Sequence, residues 1–479
     1  MSELDVLVVG GGVSGLATAH CLARSGLAVE VWEGAERVGG KIRTVAKEGY
    51  RLESAASMVV NFRSELNPFL RTAGLEASKR GRSPMAKRYV LDGERLVEVP
   101  SAPGALLKTP ILSTAGKLRL LAEPLAPRGR NPDESVAEFV TRRLGGEFLE
   151  RLFEPYVAGP LASDADLAEA RATLPRLTAL EKRYGSLALG ALFRKAWRRG
   201  SGGRPDAFSF AGGMATLAEI LARDGGFRVR SKLRVSEVWP VSGGWMTRGV
   251  AGDAVLTKFS RHLVLSTPAD AAAELVGGVD AELARLLGAI EYAPVNVVHT
   301  GFDRAKIGHP LDGSGFLLPR RSGFAPNGCL WISRLFPDHA PEGRVLLSSY
   351  VGGARNPAAA GWDATRTLDA VMHMLRAVMG ITSEPDMLHI ETHARALPLY
   401  HGAYSRRLAA IDGRLAMLPG LHLEANYRGG VSVRDRMLCA DRAASRILRH
   451  RDASRSRKNM PAGGLGDMQN ITPASAAVR

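Results

Sequence analysis

Thiols are scarce in this chain. Cys21, Cys329 and Cys439 are the only cysteines in 479 residues, and they lie far apart with no C-x-x-C pair. That pattern excludes a disulfide framework and a cysteine zinc site, and it suits a reducing compartment; no metal is expected. Long apolar runs are missing too. No stretch approaches the roughly 20 residues a membrane-spanning helix needs, and with strand-like sequence beginning almost at once at Asp5, no signal peptide is expected. The expectation is a cytoplasmic protein, at most peripheral on the cytoplasmic membrane. Acidic side chains are in deficit, 48 against 64 Lys and Arg, for a formal net charge of +16. The sequence has no helix-turn-helix, zinc-finger or base-stacking motif to read nucleic acid, so no nucleic-acid partner is expected. An anionic substrate and an anionic lipid surface each account for the charge.

Glycine, by contrast, is plentiful and well placed. Residues 5–44 read DVLVVGGGVSGLATAHCLARSGLAVEVWEGAERVGGKIRT. The short β-branched run 6–9 has the look of a strand buried on both faces. It ends in Gly10-Gly11-Gly12-Val13-Ser14-Gly15, a G-x-G-x-x-G at Gly10, Gly12 and Gly15, followed by a helical pattern that Gly26 stops. A second strand over 28–32 delivers Glu33, at the distance where a carboxylate reaches the ribose hydroxyls of an adenine dinucleotide. Gly10 allows the tight turn, Gly12 lets backbone approach a pyrophosphate, and Gly15 lets helix and strand pack closely. Taken singly the glycine spacing is weak; strand, turn, helix, second strand and terminal Glu in order specify a dinucleotide site. Arg37-Val38-Gly39-Gly40-Lys41-Ile42-Arg43-Thr44 adds a second tight turn beside the nucleotide. The sequence contains no second strand–GxGxxG–helix unit to seat a nicotinamide, so the electron donor is expected to be the organic substrate.

Further along, a strand over 50–53 leads to Ser54-Ala55-Ala56-Ser57, small residues that permit close approach to a ring system. A helix is expected over 65–73, and a hairpin over 87–97 turns at Asp92-Gly93. From 103 to 204 the pattern is helical, with Ser135 and Glu138 spaced as a capping box and a basic loop at 200–203. Its Leu, Trp and Lys/Arg content allows membrane contact or ordinary packing on the protein. Short strands are expected over 208–210, 227–230, 234–238 and 243–249, and a buried strand over 263–265 ends in Ser266-Thr267-Pro268. Strands over 295–302, 315–318, 329–333 and 345–351, with a helix over 364–379, suggest an open antiparallel sheet carrying helices. A strand over 421–425 runs through Asn426-Tyr427-Arg428-Gly429-Gly430-Val431-Ser432-Val433 into a helix ending near 448, and the tail 449–479 reads as disordered.

The first segment resembles the FAD-binding start of the amine oxidase and protoporphyrinogen oxidase group of flavoproteins. Over 5–448 the resemblance sharpens to the protoporphyrinogen oxidase family. It is carried by Lys87-Arg88-Tyr89, Phe153-Glu154-Pro155-Tyr156-Val157-Ala158-Gly159, Leu180-Glu181-Lys182-Arg183-Tyr184-Gly185-Ser186, Gly212-Gly213-Met214, Gly313-Ser314-Gly315-Phe316-Leu317-Leu318-Pro319 and the 426–433 loop. The resemblance implies an α/β plus α+β fold: a Rossmann-type FAD-binding domain (1–83, 205–290 and 395–448), a β-sheet substrate-binding domain (84–103 and 291–394) and an inserted helical domain (104–204) able to touch the membrane. It implies FAD-dependent six-electron dehydrogenation of a porphyrinogen, protoporphyrinogen IX or coproporphyrinogen III, to the porphyrin, with oxygen or a quinone as electron acceptor. A homodimer is a further expectation. Gly10, Gly11, Gly12, Ser14, Gly15, Glu33, Gly34, Arg37, Gly40, Lys41, Arg43, Val235, Thr267, Asn426, Gly430, Val431, Ser432 and Val433 are the implied FAD contacts. Arg88 is the implied partner of a substrate propionate, and the backbone at Gly159 faces the tetrapyrrole; no catalytic base is assigned. The chain departs from the family pattern at Ser54-Ala55-Ala56, Ser163-Asp164, Ala425 and Cys439. Two alternatives therefore stand beside this reading: a related flavin oxidase or desaturase acting on another amine or pyrrolic compound, and a non-catalytic flavoprotein or basic binding protein.

Overall fold

The computed structural model describes residues 4–61, 64–82, 87–100, 103–197 and 206–458. The first strand, β1 (Leu4–Val9), sits inside a seven-stranded sheet between β2 (Val29–Trp32) and the long strand Ala254–Leu265. All three run parallel there, with Val9 opposite both Trp32 and Leu265. β1 is apolar throughout because both of its faces are covered. Val6 and Val8 pack on Ala19 and Leu22 of the helix α1 (Val13–Arg24) and on Ala444 and Ile447 of the long helix Val433–Lys458. Leu7 and Val9 face Ala272, Leu283 and Ile411 from three helices on the other side. Each such side chain, once buried, contributes roughly 1.5–3 kcal/mol. The strand Ala254–Leu265 serves three neighbours: its first half pairs antiparallel with Gly244–Ala251, and its second half lies parallel to β1 on one side and to Leu421–Leu423 on the other.

A second seven-stranded sheet runs in the order Met387–Pro398, Tyr292–Asp303, Arg344–Gly352, Pro326–Trp331, Gly313–Leu317, Lys87–Asp92, Arg95–Glu98. It is antiparallel, as expected, except where Gly313–Leu317 pairs parallel with Lys87–Asp92. One face buries Val298, Phe302, Trp331 and Leu347 against Val371 and Leu375 of the helix Ala364–Met379. Side chains alternate along a strand, so the register places Val90, Leu317, Gly328, Tyr350 and Val297 in one row on the opposite face.

The helical stretch is held by charge as well as by its apolar core of Phe139, Val140, Val157 and Ala168. Ser135 and Glu138 form the expected capping box. Arg143, fully buried, lies 2.7 Å from Glu123, and Glu123 also accepts from the backbone of Leu187 (2.9 Å) and Ala188 (3.1 Å) at the start of the helix Leu187–Trp197. Several expectations need correcting. The 104–125 region is a short 3-10 turn, the helix Thr114–Leu121 and another turn, because Pro110 and Pro124 interrupt it. The strand expected over 329–333 stops at Trp331, where Ile332–Leu335 turns helical. The last helix continues through Lys458, into the tail expected to be disordered; residues 459–479 and the basic loop 200–203 lie outside the described residues. Among the described residues, no helix is long and apolar enough to cross a membrane.

Candidate functional site

The glycine-rich turn is built as its spacing requires. Gly10 takes φ +104°, and its N–H donates to Trp32 O at 2.8 Å, so the chain leaves β1 and turns at once into α1. A Cβ on Gly15 would stand 2.0 Å from Gly10 O, which is why helix and strand can approach only with glycine there. Gly12 differs. A Cβ on it would meet nothing closer than the Gly40 Cα at 4.0 Å, so the surface above it is open. Glu33 reaches back from the end of β2, accepting from Gly11 N (2.6 Å) and Ala35 N (2.8 Å), which sets its carboxylate beside the turn. Buried next to Gly10, the hydroxyls of Ser266 and Thr267 have no hydrogen-bond partner among the described residues. Open backbone at a helix start, orphaned hydroxyls and a carboxylate at the strand end together fit a dinucleotide.

The second turn closes over the first. Gly39 N donates to Gly11 O at 2.8 Å, and Gly39 and Gly40 both take positive φ. Arg37 spends its donors on the carbonyls of Val38, Gly40 and Ile42, so it shapes the turn. Arg43 is exposed and makes no ion pair among the described residues. Lys41 donates to Ala396 O at 2.8 Å and lies over the Tyr292 ring; burial, helped by the nearby Arg395 charge, pulls its ammonium down to about 8. Gly34 abuts Arg234, next to Val235. From the other side comes the 426–433 loop, with Gly429 and Gly430 in the left-handed region and Ser432 capping the long helix through Asp435 N at 3.1 Å. Val433 and Val13 share one core cluster, so the two helix starts converge on the same space. Asn426 is held through its carbonyl by the Tyr400 hydroxyl at 3.0 Å.

Arg88 and Gly159 lie elsewhere, and they lie together. Lys87 and Tyr89 point to Asp312 on the core-packed face, at 2.8 and 2.7 Å, so Arg88 between them belongs to the opposite face with Val90 and Leu317. Gly159 packs on that face so closely that a Cβ would stand 2.5 Å from Leu317 Cδ2. The Arg88 guanidinium is exposed and has no ion-pair partner among the described residues. The 54–57 segment touches both regions: Ser54 N donates to Arg43 O at 2.9 Å beside the second glycine turn, and Ser57 meets the half-buried Tyr350 in the row that contains Leu317.

Sequence reasoning missed three groups. Glu53, almost fully buried, accepts from Met214 N (2.9 Å) and Thr44 Oγ1 (2.9 Å) and lies 3.2 Å from His339 Nε2, tying the Gly212-Gly213-Met214 turn to the hairpin that pairs Thr44 with Glu53. Glu154 accepts from Arg320 N and Arg355 Nη1, each at 3.0 Å. Tyr350 and Leu317 are side chains of the face on which Arg88 and Gly159 lie. A signal existed for the two carboxylates, since each interrupts an apolar segment and a buried charge demands partners.

A family model described as flavin containing amine oxidoreductase matches residues 13–448. The mitochondrial protoporphyrinogen oxidase of Nicotiana tabacum is 30% identical, over 93% of this chain and 95% of the tobacco protein. The coproporphyrinogen III oxidase of Bacillus subtilis is 26% identical, over 92% and 97%. Among solved structures, a protein from Exiguobacterium assigned as a protoporphyrinogen oxidase superposes with a TM-score of 0.76 at 23% identity, covering 94% of this chain and 100% of that one. A reduced UDP-galactopyranose mutase gives 0.71 at 14%, with 94% of each chain covered, a likeness of fold alone. The chain thus belongs to the flavin containing amine oxidoreductase family and is an FAD-dependent oxidoreductase.

Proposed function

We propose that this chain oxidises a porphyrinogen to its porphyrin, as its tobacco and Bacillus relatives are named for doing with protoporphyrinogen and coproporphyrinogen III. The observation that carries the reading is the Arg88 face. A nearly apolar row of Val90, Leu317 and Tyr350 beside the Arg88 guanidinium, which is exposed and without an ion-pair partner among the described residues, suits a flat, mostly apolar macrocycle whose polar handles are carboxylates. The same cation is the wrong sign for an ammonium substrate, which disfavours the amine reading.

When bound, FAD supplies the two-electron oxidant. In this reading the Gly10–Gly15 turn and the start of α1 hold its pyrophosphate, Glu33 its ribose, and the 430–433 loop its far end, where the positive terminus of the helix Val433–Lys458 favours negative charge. Arg88 orients the substrate through a propionate, and Leu317, Tyr350 and the backbone at Gly159 close on the ring and keep water off it. Oxygen or a quinone takes the electrons onward. The flavin sheet, the second sheet and the 104–204 insertion act as cofactor, substrate and membrane-facing units. Mixing the flavin-loaded protein with protoporphyrinogen IX and with coproporphyrinogen III, and following porphyrin fluorescence, tests the reading. Coproporphyrinogen carries extra propionates where protoporphyrinogen carries vinyls, so the comparison also separates the two substrates.

Peripheral membrane contact belongs to the same proposal. Leu118, Leu121, Leu125 and Leu192 are 61, 60, 87 and 71% exposed, and they stand on elements in mutual contact, since both Thr114–Leu121 and Leu187–Trp197 pack against Glu123–Leu125. Transfer of a leucine out of water is worth roughly 1.5–3 kcal/mol when complete, and each nearby cation adds about 1 kcal/mol on an anionic surface. The protein is expected to float with anionic vesicles at low salt, and Leu121→Asp with Leu125→Asp to weaken flotation roughly tenfold or more. Sedimentation free of vesicles at low salt would remove the membrane role.

A further inference from the structure

The segment made of the short helix Glu154–Ala158, which brings Gly159 to the sheet, and the loop after it is strapped at both ends by charge. At its start, Glu154 Oε2 accepts from Arg320 N at 3.0 Å, and Oε1 accepts from Arg355 Nη1 at 3.0 Å. The same Arg355 nitrogen donates to Leu318 O at 2.9 Å, one residue beyond Leu317. At its end, the Arg320 guanidinium takes Asp164 at 2.8 Å and Asp166 at 3.2 Å. In between, Ala354 N donates to Ala162 O at 2.8 Å, and Ala162 holds φ +48°, a strained conformation for a residue with a Cβ. The Glu154 and Arg355 side chains are only 12 and 8% exposed, so solvent screens their attraction little. Arg355 follows the strand Arg344–Gly352 that carries Tyr350, and Arg320 follows the strand Gly313–Leu317. One carboxylate therefore fixes three surfaces at once: Gly159, Leu317 and Tyr350.

We propose that Glu154, Arg320 and Arg355 form a positioning clamp that sets the separation between Gly159 and the Leu317–Tyr350 row, and hence how tightly the substrate ring is gripped. A clamp that only stabilised the fold would have no need to reach the two strand ends that border this face. Nor would it need to hold a glycine where a Cβ would collide with Leu317. The proposal rests on the porphyrinogen reading above, and its test separates the two. In the flavin-loaded enzyme, Arg355→Ala is expected to raise KM for the porphyrinogen roughly tenfold, with kcat per bound flavin within about twofold, because the ring is misplaced while the cofactor is untouched. Arg355→Lys should recover part of the loss, and Glu154→Gln, nearly isosteric, should reproduce it if Arg355→Ala does not fold. Gly159→Ala should raise KM as well, and the double variant Arg355→Ala/Gly159→Ala should fall short of the product of the two effects, since both act on one separation. Unchanged KM in folded, flavin-loaded Arg355→Lys and Glu154→Gln, or strictly multiplicative effects, would overturn the clamp. If Arg88→Ala, run in parallel, raises KM while the clamp variants do not, only the clamp falls. If Arg88→Ala is also silent, the substrate placement itself is wrong.

Discussion

Arg88→Ala should keep its full complement of flavin and lose roughly ten- to hundredfold in kcat/KM for porphyrinogen, the worth of a charge-assisted hydrogen bond of about 1.5–3 kcal/mol. The cofactor should be unaffected because Arg88 stands on the second sheet, whereas the glycine turn, Glu33 and the 426–433 loop gather at the first. Exposure of Arg88 in the free protein argues for the lower part of that range, since an exposed charge contact is weakened by solvent. Covering by the macrocycle argues for the upper part. Arg88→Lys should recover only some of the activity, because an ammonium cannot make the two parallel hydrogen bonds of a guanidinium to a carboxylate. Steady-state kinetics normalised to flavin absorbance decide it, and wild-type constants in the alanine variant would end the assignment.

Two glycines in the turn should behave oppositely on the bench. Gly15→Ala places a methyl 2.0 Å from Gly10 O and 3.2 Å from Ser266 Cβ; the carbonyl is backbone and cannot rotate away. Either α1 lifts off β1 or the turn distorts, at a cost of about 1–3 kcal/mol or more. The expected result is a lower melting temperature in the apoprotein and a preparation without flavin. Gly12→Ala meets only the Gly40 Cα, at an unstrained 4.0 Å, and occupies φ −72°, which alanine adopts freely. Its apoprotein should melt as the wild type does, while FAD is lost on gel filtration, because the methyl fills the space a pyrophosphate needs. Wild-type FAD retention by a folded Gly12→Ala variant would place the phosphates elsewhere. The pair separates packing from cofactor contact, which a single glycine substitution cannot do.

The difference between what was legible and what was not follows sequence distance. The β1 turn, Glu33, the Ser135 capping box and the Asp92-Gly93 hairpin are local patterns, each written within a few tens of residues, and each is present. The strand Met387–Pro398 escaped notice. Its charged and polar side, His389, Glu391, His393 and Arg395, has no apolar alternation to mark it as buried, yet it lies against the 50–54 segment and the second glycine turn, with His393 holding Ser54 O. Glu53 and Glu154 were passed over for a related reason. Their partners Met214, His339 and Arg355 lie 161, 286 and 201 residues away, and no local pattern announces a contact of that span. The helical stretch was misjudged at 104–125, where leucines at helical spacing outweighed the two prolines that divide it.

If the flavin takes its electrons from a porphyrinogen, a single dinucleotide cradle, with none for a nicotinamide among the described residues, is all the reaction needs. The direct measurement is an anaerobic titration of the purified flavoprotein followed at the flavin absorbance band and by porphyrin fluorescence together. Protoporphyrinogen IX or coproporphyrinogen III should bleach the flavin while porphyrin fluorescence rises, and NADPH alone should leave the flavin oxidised. Rapid bleaching by NADPH, with both porphyrinogens leaving the flavin oxidised and the solution dark, would contradict it.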